Sequence, residues 1–101
     1  MRLRNNEKYN KQLFESDYLI KDFPFEVNKN VIIELGMGKG EMITLLAKKN
    51  PHQMYLGVEK FPTVAAKAMK KAEKLGIKNF KIICEDIKDL PNLLIGNVNT
   101  M

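Results

Sequence analysis

The segment Val31-Ile32-Ile33-Glu34-Leu35-Gly36-Met37-Gly38-Lys39-Gly40 constrains this chain more than any other. Its first five residues form a short, β-rich apolar run, which reads as a buried strand. Three glycines at alternate positions end that run. Glycine takes positive φ without a Cβ clash and lets another group approach the backbone. Behind the glycines, Met42, Leu45 and Leu46 recur at helical spacing until Asn50-Pro51 stops them. A strand, a glycine turn and a helix in that order form the place where α/β sheets hold ligands, at the carboxyl edge of the strands.

The pattern then repeats. Met54-Tyr55-Leu56-Gly57-Val58 reads as a second strand, closed by Glu59-Lys60. Pro62 suits a helix first turn. Val64, Ala65, Ala68, Met69, Ala72 and Leu75 follow as one apolar stripe, and Gly76 stands where a C-cap belongs. Phe80-Lys81-Ile82-Ile83-Cys84 is a third strand, followed by Glu85-Asp86. Strand, helix, strand, helix, strand predicts an α/β fold: a partial doubly wound parallel sheet of three strands in the order 3-2-1. Residues 1–30 read as an N-terminal arm, with a short helix around Lys8–Glu15 and an extended Phe23-Pro24-Phe25. Residues 31–101 read as a ligand-binding half-domain that stops before a fourth strand.

Composition narrows the function classes. The 101 residues suit one small domain, and 45% hydrophobic with 29% charged residues is globular rather than disordered. No apolar run approaches the roughly 20 residues a bilayer span needs. Met1-Arg2-Leu3-Arg4 has no apolar core behind it, so no secretory signal is expected. A lone cysteine, Cys84, fits the reducing cytoplasm. The net charge of +5 is nearly all lysine, the only arginines being Arg2 and Arg4. Its densest part is Lys67, Lys70, Lys71, Lys74, Lys78 and Lys81. That density permits a polyanionic partner and equally describes a solvated helix face.

The turn's ligand can be sorted by spacing. A dinucleotide fingerprint from Gly36 needs glycine or alanine at position 41, where Glu41 stands, and no Gly-Lys-Ser/Thr follows to cradle phosphates. A carboxylate at the helix start would repel a pyrophosphate. Acidic-x-Gly-x-Gly-x-Gly instead suits a ligand without phosphates that carries a cationic amine and a sulfonium. Glu59 lies 23 residues after Gly36, near the spacing at which an acid accepts both ribose hydroxyls. Asp86, after strand three, could accept from an exocyclic adenine amine. Each acid has a plainer role open to it. Glu34 could interact with the neighbouring helix dipole, Glu59 could be a solvated strand end, and Asp86 could cap a helix. Met42, Met54 and Met69 read as core, and His52 as surface. No metal cluster and no nucleophile–base pair can be assembled from the remaining residues.

Four stretches resemble the bacterial tRNA (guanine-N7-)-methyltransferase family: Met1-Arg2-Leu3-Arg4-Asn5, Ile33-Glu34-Leu35-Gly36-Met37-Gly38-Lys39-Gly40, Tyr55-Leu56-Gly57-Val58-Glu59-Lys60 and Cys84-Glu85-Asp86. The resemblance runs in order along essentially the whole chain. It implies a Rossmann-like methyltransferase fold with S-adenosyl-L-methionine as cofactor. Glu34, Gly36, Gly38, Gly40, Glu59 and Asp86 would contact that cofactor, and Arg2 and Arg4 would lie near bound tRNA. The reaction implied is transfer of a methyl group to N7 of a guanine, whose free lone pair needs no strong base. The family's Asp-Pro-Trp-Pro-Lys-Lys-Arg-His type of motif, which handles the guanine, does not occur here. The expectation is therefore a cofactor-binding half with no catalytic residue of its own, inactive alone.

Two rivals remain at this stage: an S-adenosylmethionine-binding fragment without turnover, and a different nucleotide-binding Rossmann-like module. A three-stranded sheet would also leave Val31–Leu35 as an open apolar edge, which predicts self-association through that strand.

Overall fold

A computed structural model describes residues 5–28 and 30–101 of the chain. The element order is α1 (Glu7–Phe14), β1 (Phe25–Glu26), β2 (Val31–Leu35), α2 (Glu41–Lys49), β3 (Met54–Val58), α3 (Pro62–Leu75) and β4 (Phe80–Ile83). A 3₁₀ turn (Ile87–Asp89), α4 (Leu90–Leu93), β5 (Leu94–Ile95) and β6 (Asn99–Thr100) complete it. The helix and strand boundaries follow the sequence punctuation closely. Asn6 caps α1 by accepting the Tyr9 amide at 3.1 Å, Pro62 opens α3, and Gly76 closes it at φ 66°.

The main sheet is parallel, with the order β4-β3-β2-β6. This corrects the expected three strands to four. The order 3-2-1 holds for the long strands, and β6 adds itself to the free side of β2. Asn99 pairs with Ile32 and Thr100 with Ile33, and the Met101 amide donates to the Ile33 carbonyl at 2.9 Å. The open edge expected along Val31–Leu35 is thus covered at Ile32 and Ile33. The chain also does not stop short of a fourth strand. A two-residue polar strand carries no apolar alternation, so periodicity could not reveal it. A second, two-stranded parallel sheet joins β1 to β5, Phe25 opposite Leu94 and Glu26 opposite Ile95.

Successive strand residues point to opposite faces, and two cores result. On one face, Tyr55, Phe80 and Ile82 meet Leu13 of α1, Ile43 and Ala47 of α2, and the alanine-rich side of α3. On the other, Val31, Ile33, Leu56, Val58 and Ile83 pack with Ile20, Val27, Leu90, Leu94 and Val98. Leu13, Ile20 and Val27 therefore give the first thirty residues a share in both cores.

Helix α2 corrects another expectation. It buries Ile43, Thr44 and Ala47, whereas Met42 and Leu45 are each 54% exposed. Met54 is exposed as well, so of the three methionines expected in the core only Met69 is there. Thr44 is tolerated inside because its hydroxyl donates to the Gly40 carbonyl at 2.6 Å. At the amino edge of the sheet, the Asn79 amide donates to the carbonyls of Ala47, Asn50 and Gln53 at 2.7–2.9 Å, tying the end of α2 to the start of β3.

Candidate functional site

The parallel register places Leu35, Val58 and Ile83 side by side, so the residues around and after them share one edge of the sheet. The glycine turn stands on that edge. Gly36, Gly38 and Gly40 have φ of 71°, 61° and 72°, in the left-handed region that side chains disfavour. Their reasons differ. A Cβ at Gly36 or Gly38 would meet nothing within 4 Å, so the space above the turn is open. A Cβ at Gly40 would come within 2.7 Å of the Ala68 Cβ, so that glycine lets α2 pack against α3.

Backbone bonds pin the turn to the end of β3. The Gly36 and Met37 amides both donate to the Val58 carbonyl, at 2.8 and 2.9 Å. Met37 folds back, buried, over Gly57, where any Cβ would collide with its sulfur. Sequence patterning does not reveal this anchor, because a through-space fit between residues 37 and 57 leaves no periodic trace.

Glu59 is 9% exposed and holds two segments at once. Its Oε1 accepts the Gly38 amide at 3.0 Å and its Oε2 the Phe61 amide at 3.1 Å. Charge-assisted bonds of this kind are about twice as strong as neutral ones. Each carboxylate oxygen keeps a free lone pair. The solvated strand end once open to Glu59 does not describe this residue.

Glu34 is different. It sits opposite Gly57 on β2, and its Oε1 is covered from solvent with no hydrogen-bond partner among the described residues. Burial pushes its carboxyl above the usual carboxylate range. A buried acceptor without a donor costs free energy, and native structures rarely leave one without a reason.

Asp86 does cap a turn: its Oδ1 accepts the Lys88 amide at 3.0 Å. Its Oδ2 lies 3.8 Å from the Lys60 ammonium, which also stands 5.3 Å from the Phe61 ring centre. Phe61 is 57% exposed on the same edge. Lys60 enters the sequence reading only at the close of the second strand, as the end of the Tyr55–Lys60 stretch, and Phe61, the next residue, does not enter it; neither is expected there as a site residue. Cys84 lies just past β4, half-buried, its thiol pushed up to about 11 by burial and by Glu85 and Glu59. Arg2 and Arg4 lie outside the described residues.

The structure therefore brings Glu34, the three glycines, Glu59 and Asp86 to one edge. A groove of about 540 Å³ at the opposite edge, which includes Lys48, His52, Lys78 and Asn79 in its lining, contains no carboxylate. Among the described residues no group of three or more His, Cys, Asp or Glu could hold a metal, and no helix is long and apolar enough to cross a membrane.

Residues 28–99 match a family model described as "Putative methyltransferase". The chain belongs to this methyltransferase family. Within it, the sequence resembles curated tRNA (guanine-N(7)-)-methyltransferases. It is 51% identical over 96 residues to that of Mycoplasmopsis pulmonis, covering 95% of this chain and 47% of the relative. It is 43% identical over 101 residues to that of Mycoplasmopsis synoviae and 44% to that of Mycoplasma mobile, covering 100% of this chain in both cases. The shares of those two relatives covered are 49% and 50%. This methyltransferase chain thus spans about half the length of the curated relatives it matches. Its family match includes every strand of the main sheet except the last residue of β6.

Proposed function

We propose that this edge of the sheet binds S-adenosyl-L-methionine, and that the chain is the cofactor-binding part of an enzyme methylating N7 of a guanine in tRNA. One observation carries the reading: the covered, partnerless Oε1 of Glu34 beside a turn whose glycines leave open space. A cationic amine seated there would supply the missing donor. The donor set suits the rest of the cofactor as well. Glu59 keeps lone pairs for two ribose hydroxyls, and Asp86 for an exocyclic amine. When bound, S-adenosylmethionine supplies a methyl group on a positively charged sulfur. The chain's own part is to hold and orient: Glu34 at the amine, Gly36 and Gly38 allowing close approach, Glu59 fixing the turn. Positioning of this kind is where most of the rate of such a transfer comes from, since guanine N7 needs no base. A tRNA substrate fits a cytoplasmic protein, as does the single cysteine.

Similarity to relatives named for tRNA supports RNA as the methyl acceptor, and the +5 charge permits it. Calorimetry with S-adenosylmethionine and with NAD tests the cofactor assignment on the 101-residue chain. Heat with S-adenosylmethionine and none with NAD is expected; preference for NAD would restore the dinucleotide reading. The same polypeptide is expected to leave tRNA unmethylated, because the motif that the resemblance assigns to the guanine does not occur in its sequence. Methyl transfer by it would overturn that expectation.

A further inference from the structure

Helix α1 lies along α3 and starts at the same edge of the sheet as the glycine turn. The Asn6 amide donates to the Thr63 hydroxyl at 2.8 Å, and that hydroxyl donates to Asn10 at 2.8 Å. One turn further on, Tyr9 lies against α3 with two lysines over its ring, Lys67 at 4.5 Å and Lys70 at 4.8 Å from the centre. Sharing one ring holds the two ammonium groups within about 9 Å of each other. That is about one Debye length at physiological salt, so they repel. The aromatic face offsets part of this repulsion. Neither lysine has a carboxylate partner among the described residues, and neither has Lys74 one turn on; Lys71 alone on this stripe is paired, with Glu41 at 3.6 Å. Residues 67, 70 and 74 share one helix face and span about 10 Å of its axis. A purely solvated helix face would leave its lysines free to swing apart. Here two are docked on a ring in a line that begins at the site edge.

We infer that the Tyr9, Lys67, Lys70 and Lys74 stripe is a docking track for the phosphate backbone of the RNA, separate from the cofactor site. It rests on the RNA reading above, and names the surface that reading lacks. Ammonium groups are point charges for phosphates and carry no base readout, so the track contributes affinity and orientation rather than sequence preference.

The test measures binding of an unmodified tRNA transcript to the 101-residue chain by fluorescence anisotropy across a salt series. Lys67→Gln with Lys70→Gln is expected to weaken binding roughly fivefold or more and to lower the slope of log affinity against log salt by about 2. Lys67→Arg with Lys70→Arg keeps the charge and is expected to preserve the slope. Calorimetry with S-adenosylmethionine should be unchanged in both. An unaltered slope in the glutamine variant overturns the track, as does a wild-type chain that binds no tRNA at low salt. Competition by poly-glutamate as effective as by RNA would overturn the choice of RNA. Loss of cofactor binding by the wild type would overturn the cofactor reading alone, so the two failures are distinguishable.

Discussion

At the scale of single residues, Glu34 and Glu59 show how two acids on one sheet edge come to do opposite things. Glu59 is satisfied by two backbone amides and stabilises the turn. Glu34 is only half-buried, but its Oε1 is covered and has no hydrogen-bond partner among the described residues, and its carboxyl is pushed up. The raised folded-state pKa means that the folded chain takes up a proton before the unfolded chain as pH falls. Glu34 therefore detracts from stability at neutral pH, and that burden is relieved as pH drops through its folded-state pKa. A cationic ligand responds with the opposite sign, because it needs the ionised carboxylate. S-adenosylmethionine affinity should fall as pH is lowered through the same pKa. Glu34→Gln should lose about tenfold or more in affinity at pH 7, flatten that pH dependence, and leave the melting temperature unchanged or higher. Calorimetry over a pH series with thermal melts checks all three. A large drop in melting temperature with affinity intact would return Glu34 to a structural role.

Among the elements, α2 and its turn carry a graded prediction. Gly36→Ala meets only the cost of positive φ, about 1 kcal/mol. Gly40→Ala meets that cost and a Cβ at 2.7 Å from Ala68, so α2 must shift off α3. We expect Gly40→Ala to destabilise by about 2–4 kcal/mol in urea titrations, clearly more than Gly36→Ala. Equal losses would show that φ alone decides both positions. The elements also show what a sequence can reveal. Helix α3 was legible because Pro62 and Gly76 punctuate it and its alanines face one way. The buried side of α2 was not, because Met42, Ile43, Leu45, Leu46 and Ala47 are apolar nearly all round nine residues. Periodicity then fails to choose a face, and the docking against Ala68 decides. The three acids of the site were visible since Glu34 stands in the last part of β2, and Glu59 and Asp86 follow β3 and β4. Met37 over Gly57 and Lys60 against Asp86 were not, being contacts between segments.

For the whole molecule, the fourth strand changes the expected behaviour. A three-stranded sheet would expose β2 along its length; β6 covers Ile32 and Ile33 with Asn99 and Thr100. Met101→Pro removes the amide that donates to the Ile33 carbonyl, and should cost about 1 kcal/mol. It should also raise concentration-dependent association in sedimentation, since the edge reopens. Unchanged stability and association would mean that β6 contributes nothing to closing the sheet.

The carboxylate that clamps Gly38 gives the protein a built-in spectroscopic witness. The Gly38 amide proton, held by the Glu59 carboxylate at 3.0 Å, is expected to resonate apart from its neighbours and to exchange more slowly with deuterium than an unbonded amide. Gly38 sits where a ligand would close over the turn. Its single resonance would report occupancy of the site, by a ligand of any chemistry, before any turnover is measured.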